Sequence, residues 1–389
     1  MNLEFVLGRR IRSFMLDPGN MAVWQRTPFT AAVLFCALFV AVAAKAQDRP
    51  FLPGPVRVVS TAPANGDVNP YGVAFVPPNF PSDGKIQPGD VLVSNFNASS
   101  NFQGTGTTIV DVPPNAPLTL FFQGTPPLGL TTALNVLQKG FVIVGNFPSL
   151  DLSGNCATAG TGSILVIDKN GTNPPNLTIT DMVQGPWDSA LFDQGGTAKL
   201  FVANALSGAI VRYDLNVTDS GVTVSKEKRI ASGYKHFCDP VTFVDAPTGL
   251  VFDPSDNVLY VASTADNAVF AVNDAGDRDD DRGVGRIIYQ DPVHLHGALG
   301  LAKAPNGHLL VTNNDSTLIN FDPNQPSELV EFTVQGHFVK QISLDPSPGG
   351  AFGLAVENLG KTAKLAAVDD SVNLFLIWTL KLQGEEDEE

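Results

Sequence analysis

Two histidines separated by one residue, His294 and His296 in the stretch HLH, are the side chains of this chain best suited to moving a proton or ligating a metal. Four further groups lie in loops that could approach them: Asp188, His236, Asp239 and Asp245. All six are candidates for ligand binding. The two histidines are the candidates for catalysis as acid and base, and Asp188 and Asp245 for holding a divalent cation such as Ca²⁺. The competing reading makes the histidines loop residues bonded to backbone carbonyls, and Asp188 an Asx-type cap of the strand that follows it. A second calcium candidate is the acidic run NDAGDRDDDRGVG at 273–285, through Asp277, Asp279 and Asp281. Arg282 stands where a calcium loop needs Gly and Ile288 where it needs a bidentate Glu, so a solvated hairpin loop is expected there. No H-E-x-x-H, Cys/His cluster, G-x-S-x-G elbow or phosphate loop occurs.

Loop residues do chemistry only if a scaffold brings them together, and the scaffold is legible as a repeat. PTGLVF at 247–252 has counterparts in PYGVAF (70–75), PLGLTT (127–132), ALGLAK (298–303) and AFGLAV (351–356). A sixth, PWDSALF (186–192), places Asp188 where the others have Gly. Each is followed by an apolar burst with a small polar end: VLVSN, VIVGN, LFVAN, LYVAS, LLVTN and LAAVD. The units recur about every fifty to sixty residues. Their Gly permits a close backbone approach or a turn with positive φ. A third strand and a looser outer one follow, such as Val269–Val272 and Arg286–Tyr289. Four-stranded antiparallel sheets repeated radially make an all-β, six-bladed β-propeller. The sixth unit stops after its third strand, Leu374–Leu380, and the missing outer strand is expected from Val56–Ser60. Residues 51–382 therefore read as one domain.

In such a blade, the loop leading into the inner strand and the loop between strands two and three share a face. The insertions 147–161, 232–245 and 314–327 are expected at that mouth of the central channel, and 77–90 on the opposite face. Crowded insertions mark a binding face. Asn95, Asn146, Asn204 and Asn313, which close the second strands, are expected to cap turns.

The units, written P-x-G-[VL]-x-[FV]…V-x-[ND]…N-x-[VI], resemble NHL repeats, with Asn267 in the second Asn position and FTVQG (332–336) as the closing F-x-x-x-G. The resemblance covers most of the chain and implies the propeller rather than one activity. The insertions make these units longer than the family's. More distantly, the chain is similar to gluconolactonase-like propellers, metal-dependent hydrolases whose P-N-G-L segment supplies an Asn ligand. Here Thr248 of Pro247-Thr248-Gly249-Leu250 stands in that Asn position. Two functions follow. The first is a non-enzymatic binding module for a protein, glycan or small molecule at the mouth. The alternative is a metal-dependent hydrolase of the lactonase or esterase type.

Composition sets the compartment and excludes partners. Arg26 precedes an apolar run, Phe29–Ala44, and Ala44-Lys45-Ala46 has the small-x-small form of a signal-peptidase site. Residues 1–46 read as a signal peptide, cleaved after Ala46, with residues 1–20 as an over-extended start before Met21; an uncleaved anchor is the alternative. Cleavage would leave no membrane span in the mature chain, and a secreted or periplasmic location follows. Cys156 and Cys238 then remain, and both lie in mouth insertions, so a disulfide is expected. The net charge of −15, to which the solvated acidic tail 383–389 contributes, excludes nucleic acid, whose phosphates need a basic stripe.

Overall fold

The computed structural model describes residues 50–52, 57–313 and 324–382. The stretch expected to be a signal peptide (1–46), the acidic tail and residues 314–323 of the last insertion lie outside the described residues. Among the described residues no helix is long and apolar enough to cross a membrane.

Each repeat unit is an antiparallel sheet, and six of them form a ring. The first blade runs Val68–Phe75, Val91–Asn97, Thr108–Val112 and Thr119–Gln123. The fourth, whose sequence displays the repeat best, runs Pro247–Asp253, Val258–Ser263, Ala268–Asn273 and Arg286–Tyr289. The middle strands are apolar without alternation because each blade is covered on both faces by its neighbours. Between neighbouring blades lies a separate apolar cluster, such as Phe201, Tyr234, Leu259 and Phe270 between blades three and four.

Arg57–Ser60 pairs antiparallel with Leu374–Lys381, Arg57 facing Ile377 and Ser60 facing Leu374. The expected closure is present: the sixth blade takes its outer strand from the start of the domain. A latch precedes it. Phe51 and Leu52 are buried against the sixth blade's Leu365 and Trp378. The carboxylate of Glu331, itself fully buried, accepts the amides of Phe51 (2.8 Å) and Leu52 (2.9 Å) and the Nδ1 contact of His308 at 2.6 Å.

The repeated glycine serves close approach, not a turn. The inner strand of the fourth blade bulges between Pro247, opposite Ser263, and Leu250, opposite Val261. A Cβ on Gly249 would lie 2.2 Å from the Leu299 carbonyl of blade five, and one on Gly353 1.9 Å from the Tyr71 carbonyl of blade one. Hydroxyls complete the ring: Thr312 Oγ1 accepts the Gly300 amide (2.6 Å) and donates to the Phe352 carbonyl (2.8 Å). Bulge, glycine and hydroxyl together pull neighbouring inner strands into contact.

The second blade departs from the repeat. Its strands are Leu130–Leu137, Phe141–Asn146 and Ser163–Asp168, and its outer position holds a single bridge between Ile164 and Ile179. Leu130, not Pro127, faces Asn146, so PLGLTT sits about three residues out of register with its counterparts. Thr132 stands in the glycine position and its Oγ1 donates to the Trp187 carbonyl of the next blade, beside Thr131 Oγ1, which donates to the Pro186 carbonyl at 2.8 Å.

Candidate binding site at the mouth

The insertion at 232–245 folds into a hairpin, Phe237–Asp239 against Phe243–Asp245. Cys238 on its outer face is disulfide-bonded to Cys156, with Cα atoms 5.6 Å apart, so the expected bridge forms. Loops from the second and fourth blades are thereby joined over the third. Asp239 shapes the hairpin turn by accepting the amides of Val241 (2.7 Å) and Thr242 (3.0 Å). Asp245 is fully buried and accepts Thr242 Oγ1 at 3.0 Å. Burial, and then the charge of Asp239, push its carboxyl up to about 7.

Phe243 drops from the hairpin into an aromatic cluster with Tyr71, Phe96, Phe147, Trp187 and Phe352. Tyr71 stacks on Phe352 with centroids 4.0 Å apart and on Phe96 at 4.6 Å. This cluster divides the channel. Phe352 borders a cleft of about 380 Å³ on the mouth side, and Gly353–Val356 border a cavity of about 240 Å³ within the ring. Asn69, Asn97, Asn101, Gln103, Asp370 and Asn373 wall the cleft, with Val241 and Thr242 of the hairpin tip above them. Tyr71 Oη donates to Gln103 Oε1 at 3.0 Å, and Gln103 Nε2 reaches the Val241 carbonyl at 3.4 Å.

The six candidates do not form one constellation. Asp188 borders the inner cavity, beyond the aromatic cluster from the hairpin. Its oxygens accept the amides of Ser189 (2.7 Å) and Leu250 (3.3 Å), so it clasps blades three and four, and enclosure by the channel raises its carboxyl well above the ordinary range. His236 is exposed, with Nδ1 3.0 Å from the Tyr234 carbonyl. His294 stacks on Phe338 of the fifth blade's outer strand and holds Asp291 at 2.7 Å. His296 Nε2 meets the Pro292 carbonyl at 3.1 Å. Both histidine backbones are held by Asn313, which accepts the His296 amide (2.9 Å) and donates to the His294 carbonyl (2.7 Å). Among the described residues no three His, Cys, Asp or Glu side chains are grouped to hold a metal ion. Thr248 is buried, its hydroxyl 3.1 Å from the Leu299 carbonyl of the next blade.

The acidic run is likewise engaged by protein. Arg212, almost fully buried in blade three, donates to the Ala275 (3.1 Å) and Arg278 (2.7 Å) carbonyls and pairs with Asp279 (3.2 Å). Arg229 pairs with Asp281 at 2.9 Å and Asn257 donates to Asp277 at 2.8 Å. The run is a clasp between blades three and four. The asparagines closing the second strands hold the loops leading into inner strands: Asn146 accepts the Gly129 amide (2.9 Å) and Asn204 that of Gln184 (3.0 Å).

Sequence reasoning missed the cleft walls. Their signal is the run NFNASSNFQG, which ends the second strand of blade one and continues into its loop with four carboxamides in ten residues, and the paired aspartates that end LAAVDD. Asp369, buried, is pushed up to about 7 by burial and then by the neighbouring carboxylate of Asp345.

No family model matches the chain, and no curated protein matches it significantly. Among solved structures it is similar to a DUF4623 family protein from Bacteroides eggerthii, at 11% identity over 87% of this chain and 78% of that one, with a TM-score of 0.51. It is similar to streptogramin B lyase at 15% identity, over 85% and 88% of the two chains, with a TM-score of 0.45. A luciferin-regenerating enzyme aligns at 12% identity over 85% and 96%, with a TM-score of 0.49. At such identities the likeness is one of fold: a six-bladed propeller, an architecture that carries both enzymes and binding proteins.

Proposed function

We propose that this chain is an exported, NHL-like six-bladed propeller acting as a binding module, with its ligand taken at the mouth. The distribution of exposed apolar side chains carries the reading. Phe102, Leu150, Leu152, Leu206, Val241 and Val372 all project from loops of the mouth face. Among the described residues, the turns of the opposite face expose one large apolar side chain, Leu359. Apolar groups held at a surface by a disulfide and a hairpin are a preorganised contact area for a protein, glycan or small molecule. The disulfide supports an oxidising compartment, in keeping with residues 1–46 as a cleaved signal and residues 51–382 as the mature propeller.

The test is retention of exported material from the source cell by immobilised mature protein. Phe102→Asp with Val241→Asp should abolish retention, while Leu359→Asp should leave it intact. Equal retention by all three proteins would overturn the reading.

A further inference from the structure

We infer that the cleft between the first and sixth blades binds a neutral saccharide, one or two sugar units in size. The inference rests on the mouth being the binding face and adds the class of ligand. Saccharide hydroxyls are both donors and acceptors, and planar side chains with paired polar atoms match them. The cleft wall offers such groups from three directions: Asn69, Asn97, Asn101 and Gln103 from blade one, Asp370, Ser371 and Asn373 from blade six, and Thr242 from the hairpin. Its floor is apolar, with Val68 and Phe352 available to the carbon face of a sugar ring.

The charge of the wall narrows the class. Among the described residues no Lys, Arg or His borders the cleft, so a phosphate or carboxylate ligand would lack a counter-ion there. Asp370 is the one ionisable group among the described residues that line the cleft. Enclosure, and then the neighbouring carboxylates Asp369 and Asp345, raise it well above the ordinary carboxylate range, which favours the uncharged acid over an anion that would call for a cationic ligand. Size narrows it further. At about 380 Å³ the cleft lies at the small end of ligand pockets, too short for an extended peptide strand.

The wall is also preorganised. Asn69, Asn101 and Asn373 hold φ of 64°, 58° and 57°, a conformation asparagine tolerates better than most residues. Asn373 Oδ1 accepts the Asn69 amide at 2.7 Å, joining the two blades across the cleft. With the Asn97 carboxamide oriented to satisfy both of its atoms, its Oδ1 accepts Asn69 Nδ2 at 2.8 Å. These bonds fix the carboxamides before a ligand arrives, and the exposed Ser99, Asn101 and Ser371 stand at the rim.

Saturation-transfer NMR and calorimetry on the mature protein test this with glucose, galactose, mannose, xylose, N-acetylglucosamine, cellobiose and maltose. Glucuronate, glucosamine and N-acetyl-dialanine amide serve as charged and peptide probes. At least one neutral saccharide should bind, and Asn101→Ala should weaken it about tenfold, the loss of one or two hydrogen bonds. Ser371→Trp, which fills the cleft from an exposed position, should abolish it with the melting temperature kept. Asp188→Asn, beyond the aromatic cluster, should leave it unchanged. Binding to none of the neutral sugars, tighter binding of a charged or peptide probe, or affinity indifferent to Asn101→Ala and Ser371→Trp would each overturn the inference. If the sugars fail while Phe102→Asp with Val241→Asp still abolishes retention of exported material, the ligand class falls and the mouth stands.

Discussion

The wall of the ring and its mouth obey different rules. In the wall, chemically similar residues recur and are engaged by the next blade: Gly249 against the Leu299 carbonyl, Gly353 against that of Tyr71, Thr312 bridging Gly300 and Phe352. At the mouth, beyond the asparagines that hold the loops into the inner strands, the described loops differ from blade to blade. One blade contributes a carboxamide-rich loop, another a disulfide-bonded loop, and a hairpin between the third and fourth blades leans over the channel. Substitution in the wall should therefore be read in stability, and substitution at the mouth in binding.

The largest effect is expected where the wall closes. Removing residues 50–60 deletes the latch on Glu331 and the outer strand of the sixth blade. The mature protein should aggregate or lose its cooperative unfolding transition, because a ladder edge is left open and a buried carboxylate loses the two backbone amides it accepts. A truncated protein that melts like the intact one would remove the closure from the account.

Gly353→Val comes next. Its Cβ would overlap the Tyr71 carbonyl, and backbone cannot move away cheaply in a closed ring. A loss on the order of 3 kcal/mol or more is expected by denaturant titration. Cys156→Ser with Cys238→Ser frees a loop with a sequence separation of 82 residues and should cost roughly 4 kcal/mol at most, by chain entropy. The first change should leave residual ligand binding intact in the folded fraction, whereas the second should weaken binding by more than its stability loss explains.

Acidity offers a milder probe. Asp111, Asp245 and Asp369 are each pushed up to about 7, in every case chiefly by burial. In the unfolded chain such groups release their protons near pH 4. The folded protein therefore binds more protons than the unfolded chain between about pH 4 and 7, so its stability falls as pH rises through that window and flattens above it. The melting temperature should be higher at pH 5 than at pH 8. Asp245→Asn should reduce the difference. The smallest stability effect belongs to the mouth rim, where Phe102→Ser and Val241→Ser should stay within about 0.5 kcal/mol of the parent while retention is lost.

The same contrast explains what the sequence displays. The wall is legible because each blade solves the same packing problem with the same few residue types, so P-x-G and V-x-N announce it. Even the closing strand could be read, since a ring of six leaves one outer position unfilled. The disulfide was legible from two cysteines in loops assigned to one face. The histidines stand out by type, whereas their surroundings are a property of the fold: His294 rests on Phe338, and Asn313 holds both backbones. Asp188 occupies a glycine position, yet the aromatic cluster lies between it and the cleft. The cleft residues were hidden because asparagine reads as a turn former, and only the meeting of blades one and six gives Asn69, Asn101, Asp370 and Asn373 a common space.

The claim that the mouth is the binding face is tested most directly by hydrogen exchange on the mature protein, alone and saturated with the material it retains. Peptides spanning 98–107, 148–160, 239–243 and 370–373 should exchange more slowly in the complex, while the opposite turns at 138–140, 194–196, 305–308 and 359–361 keep their rates. Protection at those turns with the mouth unchanged would contradict the account.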